Sequence, residues 1–235
     1  MDVKTEMVEV PASGGTMPAF VARPEGGTRV PAVLVIQEAF GLNDNIKEIA
    51  RRIAGEGYVA LAPDVYWRGG KGRSVGYGDL PAAIALMQSV KDGEVVDDVK
   101  SAVSYLEKQP SVRADRIGIT GFCMGGRVSF LAACELPEKI AACAPFYGGG
   151  IPIDRASKLR APLLAFFGEQ DAFIPLDSVE QLKAKLREHG KQAEIVVYPG
   201  AGHGFFCQQR PDYRPDAAAD AWERLKKFFA THLKK

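Results

Sequence analysis

Short apolar runs alternate regularly with helical patterns from about residue 30 to the last residues of the chain. Continuous apolar strands that alternate with helices are typical of a parallel sheet covered on both faces. The predicted strands are PAVLVI (31–36), YVALAP (58–63), RIGIT (116–120), IAACAPFY (140–147), APLLAFFG (161–168) and AEIVVYP (193–199). We therefore predict an α/β fold with a mostly parallel sheet, to which the first 30 residues add one or two antiparallel edge strands.

Helical spacing and turn residues predict where the helices lie between these strands. A first helix follows Asn43 or Asp44, either of which can cap it, and it ends at Gly55 and Gly57. Two helices near residues 80–91 and 94–109 are separated by Gly93. A helix after residue 175 has a capping-box-like start at Asp177, and the last helix spans about 215–233.

Length and composition limit the class of protein. A chain of 235 residues with 46% hydrophobic and 25% charged residues suits a single globular domain, and we find no linker or internal repeat that would divide 1–235. A net charge of +1 provides no basic excess for a phosphate backbone, so nucleic acid is not an expected partner. Either a monomer or a small homo-oligomer is compatible with these features.

Targeting and metal signals are missing from the sequence pattern. No apolar run approaches the ~20 residues that span a bilayer, and the charged start MDVKTEMVEV does not resemble a signal peptide. The four cysteines form no CxxC pair, and they do not cluster with the three histidines as metal ligands would. We predict reduced thiols, a cytoplasmic location, no membrane association, no metal and no cofactor.

The stretch GITGFCMGG (118–126) places Cys123 between glycines, at the turn from a predicted strand to a predicted helix. A thiol in that position is a packing residue, a redox or metal-binding group, or a nucleophile. Ligands in parallel sheets bind beyond the carboxyl ends of the strands, so the residues that follow the other strands bear on the choice. Asp171 follows the predicted strand 161–168, and His203 follows the strand 193–199. The order nucleophile, acid, histidine is that of α/β-hydrolases.

Each residue type suits a step of nucleophilic catalysis. Cys123 would lie at a helix N-terminus, which favours a thiolate, and His203 could accept its proton. Asp171 could orient the imidazole and stabilise its charged form, with Glu169 as an alternative acid. The backbone N–H groups of Met124 and Ala39 are the expected oxyanion donors.

The other cysteines are predicted to play structural roles. Cys134 and Cys143 lie inside a predicted helix and a predicted strand, where a cysteine usually packs as a small apolar residue. Cys207 is either a packing residue or part of a pocket wall.

Six motifs in chain order resemble the dienelactone hydrolase family, the cysteine branch of the α/β-hydrolases. They are QEAFGLN (37–43), ALAPDVY (60–66), GFCMGG (121–126), FYGGG (146–150), GEQDAFIP (168–175) and YPGAGHGF (198–205). The resemblance implies a single α/β-hydrolase domain that cleaves an ester or lactone. It implies a triad of Cys123, His203 and Asp171, and a role for Glu38 in holding or accepting the thiol proton.

The sequence departs from the family pattern where two arginines bind a substrate carboxylate. Cys207 occupies one matching position, and Asp79-Leu80-Pro81 occupies the region of the other. Arg73 and Arg210 are the nearest candidates to replace them. We therefore predict an uncharged small ester or lactone as substrate. The predicted pocket residues are Phe40, Trp67, Tyr147, Phe205, Phe206 and Cys207.

Three other functions are compatible with the same residues. The site could transfer an acyl group to an acceptor other than water, or hydrolyse phosphoesters. It could also be a catalytically silent site that binds a ligand or senses oxidation through Cys123.

Overall fold

A computed structural model describes residues 2–26 and 28–235 of the chain, which form one eight-stranded sheet with helices on both faces. The strand order is β1-β2-β4-β3-β5-β6-β7-β8. The strands are β1 (Val3–Ala12), β2 (Gly15–Pro24), β3 (Val30–Ile36), β4 (Val59–Pro63), β5 (Val112–Phe122), β6 (Ala142–Phe146), β7 (Leu163–Gly168) and β8 (Ala193–Tyr198). The helices are α1 (Asp44–Gly55), α2 (Leu80–Gln88), α3 (Asp92–Glu107), α4 (Met124–Glu135), α5 (Leu176–Glu188) and α6 (Pro215–Leu233).

The predicted α/β fold is confirmed, including the antiparallel strands at the N-terminal edge. β1 pairs with β2, and β2 with β4, in antiparallel fashion, whereas β3 to β8 are parallel. The central strands are buried on both faces, which explains their continuous apolar sequences. In the described ranges, no helix is both long and apolar enough to cross a bilayer.

Helix boundaries differ from the sequence prediction at two points. The chain leaves the helical conformation at residues 89–91, and Gly93 lies inside the first turn of α3 rather than between the two helices. Pro175, not Asp177, occupies the N-cap of α5, and Asp177 lies in the first turn, so the capping box predicted there is wrong. At α1 the cap is Asn43, whose Oδ1 accepts the Ile46 N–H at 3.2 Å.

The parallel register aligns the carboxyl ends of the central strands at one edge. Ile36 at the end of β3 lies opposite Gly121 near the end of β5, and Phe122 lies opposite Phe146 at the end of β6. On the far side, Gly168 at the end of β7 pairs with Tyr198 at the end of β8. The residues that follow these strands therefore meet above one edge of the sheet.

Candidate active site

Cys123 occupies a sharp turn between β5 and α4. Its φ of 55° and ψ of −118° lie in a region that L-residues adopt only under strain, at a cost on the order of 1–3 kcal/mol. Its N–H donates to the Phe146 carbonyl at 3.1 Å, and its own carbonyl accepts from the Gly126 N–H at 3.0 Å. The surrounding backbone thus holds the thiol at the N-terminus of α4, half-buried at the sheet edge.

Glycines make this turn possible because the backbone segments approach each other closely. A Cβ on Gly121 would lie less than 3.0 Å from the carbonyl of Gly125. A Cβ on Gly125 would approach the carbonyls of Ile36 and Gln37 equally closely. The small residues on both sides of Cys123 are therefore required by packing, as the sequence pattern predicts.

We expect Gly125→Ala to destabilise the protein by roughly 1–3 kcal/mol, because the added methyl group meets backbone that cannot rotate away. Thermal unfolding followed by circular dichroism measures the effect. Gly93→Ala is the matched control, since a Cβ there meets nothing within 4 Å and alanine favours the helix. Equal melting temperatures for the two variants would contradict the packing requirement.

His203 and Asp171 form a buried pair beside the turn. The imidazole Nδ1–H donates to Asp171 Oδ2 at 2.7 Å, and both side chains are almost completely buried. Asp171 Oδ1 accepts the backbone N–H groups of Phe173 at 2.8 Å and Ile174 at 3.2 Å. These bonds fix the carboxylate, which in turn fixes the orientation of the imidazole. Glu169, the alternative acid, is exposed and accepts the Gly200 N–H instead.

The surroundings of His203 favour its protonated form. Burial by itself lowers the pKa of His203, but hydrogen bonds with Asp171 and with the Cys123 thiol outweigh it and raise the pKa to about 9. Cys123 and His203 line the same cavity, and Asp171 is hydrogen-bonded to the imidazole of His203.

Glu38 lies completely buried next to this group, at the end of β3. Its Oε2 accepts the Tyr77 hydroxyl at 2.7 Å, and its Oε1 lies 3.5 Å from Arg210 Nη1. Burial raises the pKa of Glu38, whereas Tyr77 and Arg210 oppose that rise. Asn43 Nδ2 donates to the Tyr77 oxygen at 3.1 Å, which leaves the Tyr77 hydrogen for Glu38. Tyr77 was not predicted, because the Gly-rich loop that contains it has no helical or strand periodicity.

Arg210, and not Arg73, reaches the site. The guanidinium of Arg210 is nine-tenths buried, faces Glu38 and lines the cavity in front of Cys123. Arg73 lies in an exposed segment, with its side chain against Gly69 and its carbonyl near Gly41, and does not line that cavity.

The two predicted oxyanion donors line the same cavity and share a buried neighbour. Met124 is the first residue of α4, where backbone N–H groups have no partner within the helix. Ala39 follows β3 and lines the same cavity as Met124. The Tyr66 hydroxyl donates to the Ala39 carbonyl at 2.9 Å and lies 3.4 Å from Met124 Sδ.

The cavity has a volume of about 530 Å³, within the usual range for small-molecule sites. Its wall combines Cys123, His203 and Phe40 with a large apolar surface that the sequence did not reveal. The residues of that surface and its charged rim include Leu80, Ile84, Met87, Val90, Asp92, Val95, Arg127, Val128 and Phe173.

Of the six predicted pocket residues, only Phe40 lines the cavity, so the prediction is wrong for the other five. Trp67 packs against α3, where its Nε1–H donates to Asp98 at 3.0 Å, and it does not line the cavity. The other four residues, Tyr147, Phe205, Phe206 and Cys207, are buried in the protein interior. The Tyr147 ring lies 5.2 Å from the His203 ring and packs against Phe205, whereas Phe206 packs against Phe122.

This fold, with a cysteine at a sharp turn after β5 and an aspartate and a histidine after β7 and β8, is that of an α/β-hydrolase. The sequence model described as "Dienelactone hydrolase family" matches residues 17–233. The chain belongs to the dienelactone hydrolase family, and it is a hydrolase that acts on ester bonds, including those of lactones.

Individual relatives cover the whole chain. A Synechocystis protein named "Putative carboxymethylenebutenolidase" is 38% identical over 100% of this chain and 99% of its own length. The crystal structure of a "Putative Dienelactone Hydrolase" from Klebsiella pneumoniae is 36% identical and superimposes with a TM-score of 0.92, covering 98% of this chain and 99% of that one. The dienelactone hydrolase-like promiscuous phosphotriesterase P91, from metagenomic libraries, shares the fold with a TM-score of 0.87 at 23% identity, covering 99% of both chains.

Proposed function

We propose that this protein hydrolyses small uncharged esters or lactones through a covalent thioester on Cys123. The observation that supports this most directly is the position of the His203 imidazole, which is hydrogen-bonded to the buried Asp171 carboxylate and lines the same cavity as Cys123. A redox sensor or a simple binding site would not require this pair.

The proposed reaction begins when His203 accepts the thiol proton and the Cys123 sulfur attacks the substrate carbonyl. The carbonyl oxygen becomes an oxyanion, which accepts hydrogen bonds from the N–H groups of Ala39 and Met124. As the tetrahedral intermediate collapses, the C–O bond breaks and the alcohol leaves with the proton from His203. A water molecule, deprotonated by His203, then attacks the thioester carbonyl. The C–S bond breaks, the acid leaves, and the Cys123 sulfur takes back the proton from His203.

Glu38 has a separate proposed role as a partner for the resting thiol. Its raised pKa and its burial at the site allow it to hold a proton there, while Tyr77 and Arg210 keep it in place. The carboxylate could thus take up the thiol proton before His203 is engaged.

Trapping the intermediate tests the proposal. The protein is mixed with p-nitrophenyl acetate, quenched with acid, digested and analysed by mass spectrometry. We expect one acetyl group on the peptide that contains Cys123 and none on the peptides of the other cysteines. An acetyl group elsewhere, or turnover with no acylated Cys123, would contradict the mechanism. Addition of an alcohol acceptor and a panel of phosphotriesters separates hydrolysis from the two alternative reactions.

We expect Tyr66→Phe to lower kcat roughly tenfold with little change in KM. The hydroxyl contacts both residues that supply the oxyanion N–H groups, so its loss loosens them where charge develops in the transition state. Steady-state kinetics with p-nitrophenyl acetate gives both constants. Tyr58→Phe is the matched control, because it removes a buried hydroxyl far from the cavity. An unchanged kcat, or a loss confined to KM, would exclude Tyr66 as a positioning residue.

A further inference from the structure

The mouth of the active-site cavity exposes apolar side chains that packing does not require. Six large hydrophobic side chains are exposed among residues 2–26 and 28–235, and four of them line this one cavity. These four, with their exposed fractions, are Leu80 (40%), Ile84 (36%), Met87 (36%) and Phe173 (58%). Exposed apolar surface gathered at one place is a mark of a binding site, whereas single exposed residues are ordinary.

Three of the four residues form a stripe along α2. Residues 80, 84 and 87 are spaced four and three apart, so they lie on one face of the helix. The core-facing side of α2 is supplied by Ala83 and Leu86, which are buried. Because α2 is held in place by that other face, the stripe is free to contact a ligand. Phe173 comes from the loop that also contains Asp171, and its ring lies 5.1 Å from the ring of His203.

The two arginines on the cavity wall already lie next to acidic residues of the protein. Arg127 forms a bidentate pair with Asp92, with both nitrogen–oxygen distances at 2.7 Å. Arg210 faces Glu38 at 3.5 Å and Asp212 at 4.0 Å. A free carboxylate on a substrate would have to compete with the protein's own acidic side chains for these arginines, whereas an uncharged chain would only displace water from the apolar stripe.

We propose that the surface formed by Leu80, Ile84, Met87 and Phe173 binds an extended apolar group of the substrate, so that the preferred substrates are neutral esters with a medium-length alkyl or aryl group. This inference rests on the proposed ester hydrolysis at Cys123 and specifies the substrate class. The stripe and Phe173 line the same cavity as Cys123 and His203, so apolar contacts with the substrate can persist in the transition state and raise kcat/KM.

Four simple esters test the preference when their hydrolysis is followed by titration of the released acid. They are methyl acetate, methyl hexanoate, hexyl acetate and monomethyl adipate. We expect methyl hexanoate, hexyl acetate or both to exceed methyl acetate in kcat/KM by tenfold or more, since each buried methylene improves binding up to roughly fourfold. Monomethyl adipate, in which a carboxylate replaces the terminal methyl group of methyl hexanoate, should be a poorer substrate than methyl hexanoate. Equal values for the three neutral esters, or a preference for the adipate, would overturn the proposal.

Substitution of the stripe identifies the surface. Ile84→Ser should reduce the advantage of the longer esters over methyl acetate by at least threefold. Leu176→Ser is the control, because Leu176 is equally exposed but lies outside the cavity. If both variants change the chain-length preference equally, the surface has been assigned wrongly.

A binding measurement distinguishes failure of this inference from failure of the proposed reaction. Hexanamide is a neutral analogue that the protein is not expected to cleave, and its binding can be followed by calorimetry whether or not any ester is hydrolysed. Binding that is stronger than that of acetamide and weakened by Ile84→Ser supports the apolar site even if no ester is turned over. Equal binding of hexanamide and acetamide by the wild-type protein overturns it even if esters are hydrolysed.

Discussion

We expect Cys123→Ala to lower kcat/KM for p-nitrophenyl acetate by at least about 10³-fold, because the variant has no atom that can form the covalent intermediate. The residual rate would come from the oxyanion donors and from substrate binding alone. The substitution also replaces a residue at φ 55°, so the folded state of the variant is verified by circular dichroism before kinetics are compared.

Cys134→Ala is the matched control for this variant. Cys134 lies on the same helix, is buried, and is remote from the cavity, so its removal should leave the rate within about twofold. If Cys123→Ala retained the wild-type rate, hydrolysis would occur without a thioester at this residue, and the proposed mechanism would be wrong.

The second large effect is expected for Asp171→Asn, which should lower kcat by roughly 10³-fold to 10⁴-fold. Asparagine keeps the shape of the side chain but removes the charge that stabilises the imidazolium and fixes the Nδ1–H tautomer. Glu169→Gln is the control, since Glu169 is the neighbouring acid in the same loop and does not contact His203. A larger loss for Glu169→Gln than for Asp171→Asn would reverse the assignment of the acid.

The same pair determines the pH dependence. The pKa of His203 is raised to about 9, so the imidazole keeps its proton until the pH approaches that value. Activity that requires the neutral imidazole should therefore be highest above pH 9 and fall about tenfold per pH unit below it. In Asp171→Asn the pH at which activity falls should be lower than in the wild type, because the carboxylate that raises the pKa of His203 is gone. A wild-type profile that is flat from pH 6 to 9 would exclude His203 as the acceptor of the thiol proton.

Glu38 illustrates how far a motif can be interpreted without coordinates. The resemblance of QEAFGLN to the family implied that this carboxylate acts next to the thiol, and its burial beside the site supports a proton-holding role. Its partners could not be named in advance. Tyr77 belongs to a loop without periodicity, and Arg210 lies far along the chain in a segment whose path depends on its packing over Gly204.

The residues of the pocket wall were predicted less well than the residues around Cys123. Aromatic residues next to the catalytic motifs were predicted to line it, yet Tyr147, Phe205 and Phe206 face inward and support the sheet edge. The residues that do face the cavity include Ile84 and Met87, which a helical pattern alone would place in the core. Periodicity states which residues share a helix face, but it does not state whether protein or ligand covers that face.

Local features were enough to predict the α/β fold and the order of Cys123, Asp171 and His203, because apolar strands, turn glycines and the residues that follow each strand can be recognised without coordinates. Parallel pairing then brings the strand ends together without further information. Three further points depended on the folded structure: which arginine reaches the site, what holds Glu38 and which side chains form the cavity wall. Those outcomes depend on contacts between loops that are distant in sequence, and no local pattern records how such loops pack against one another.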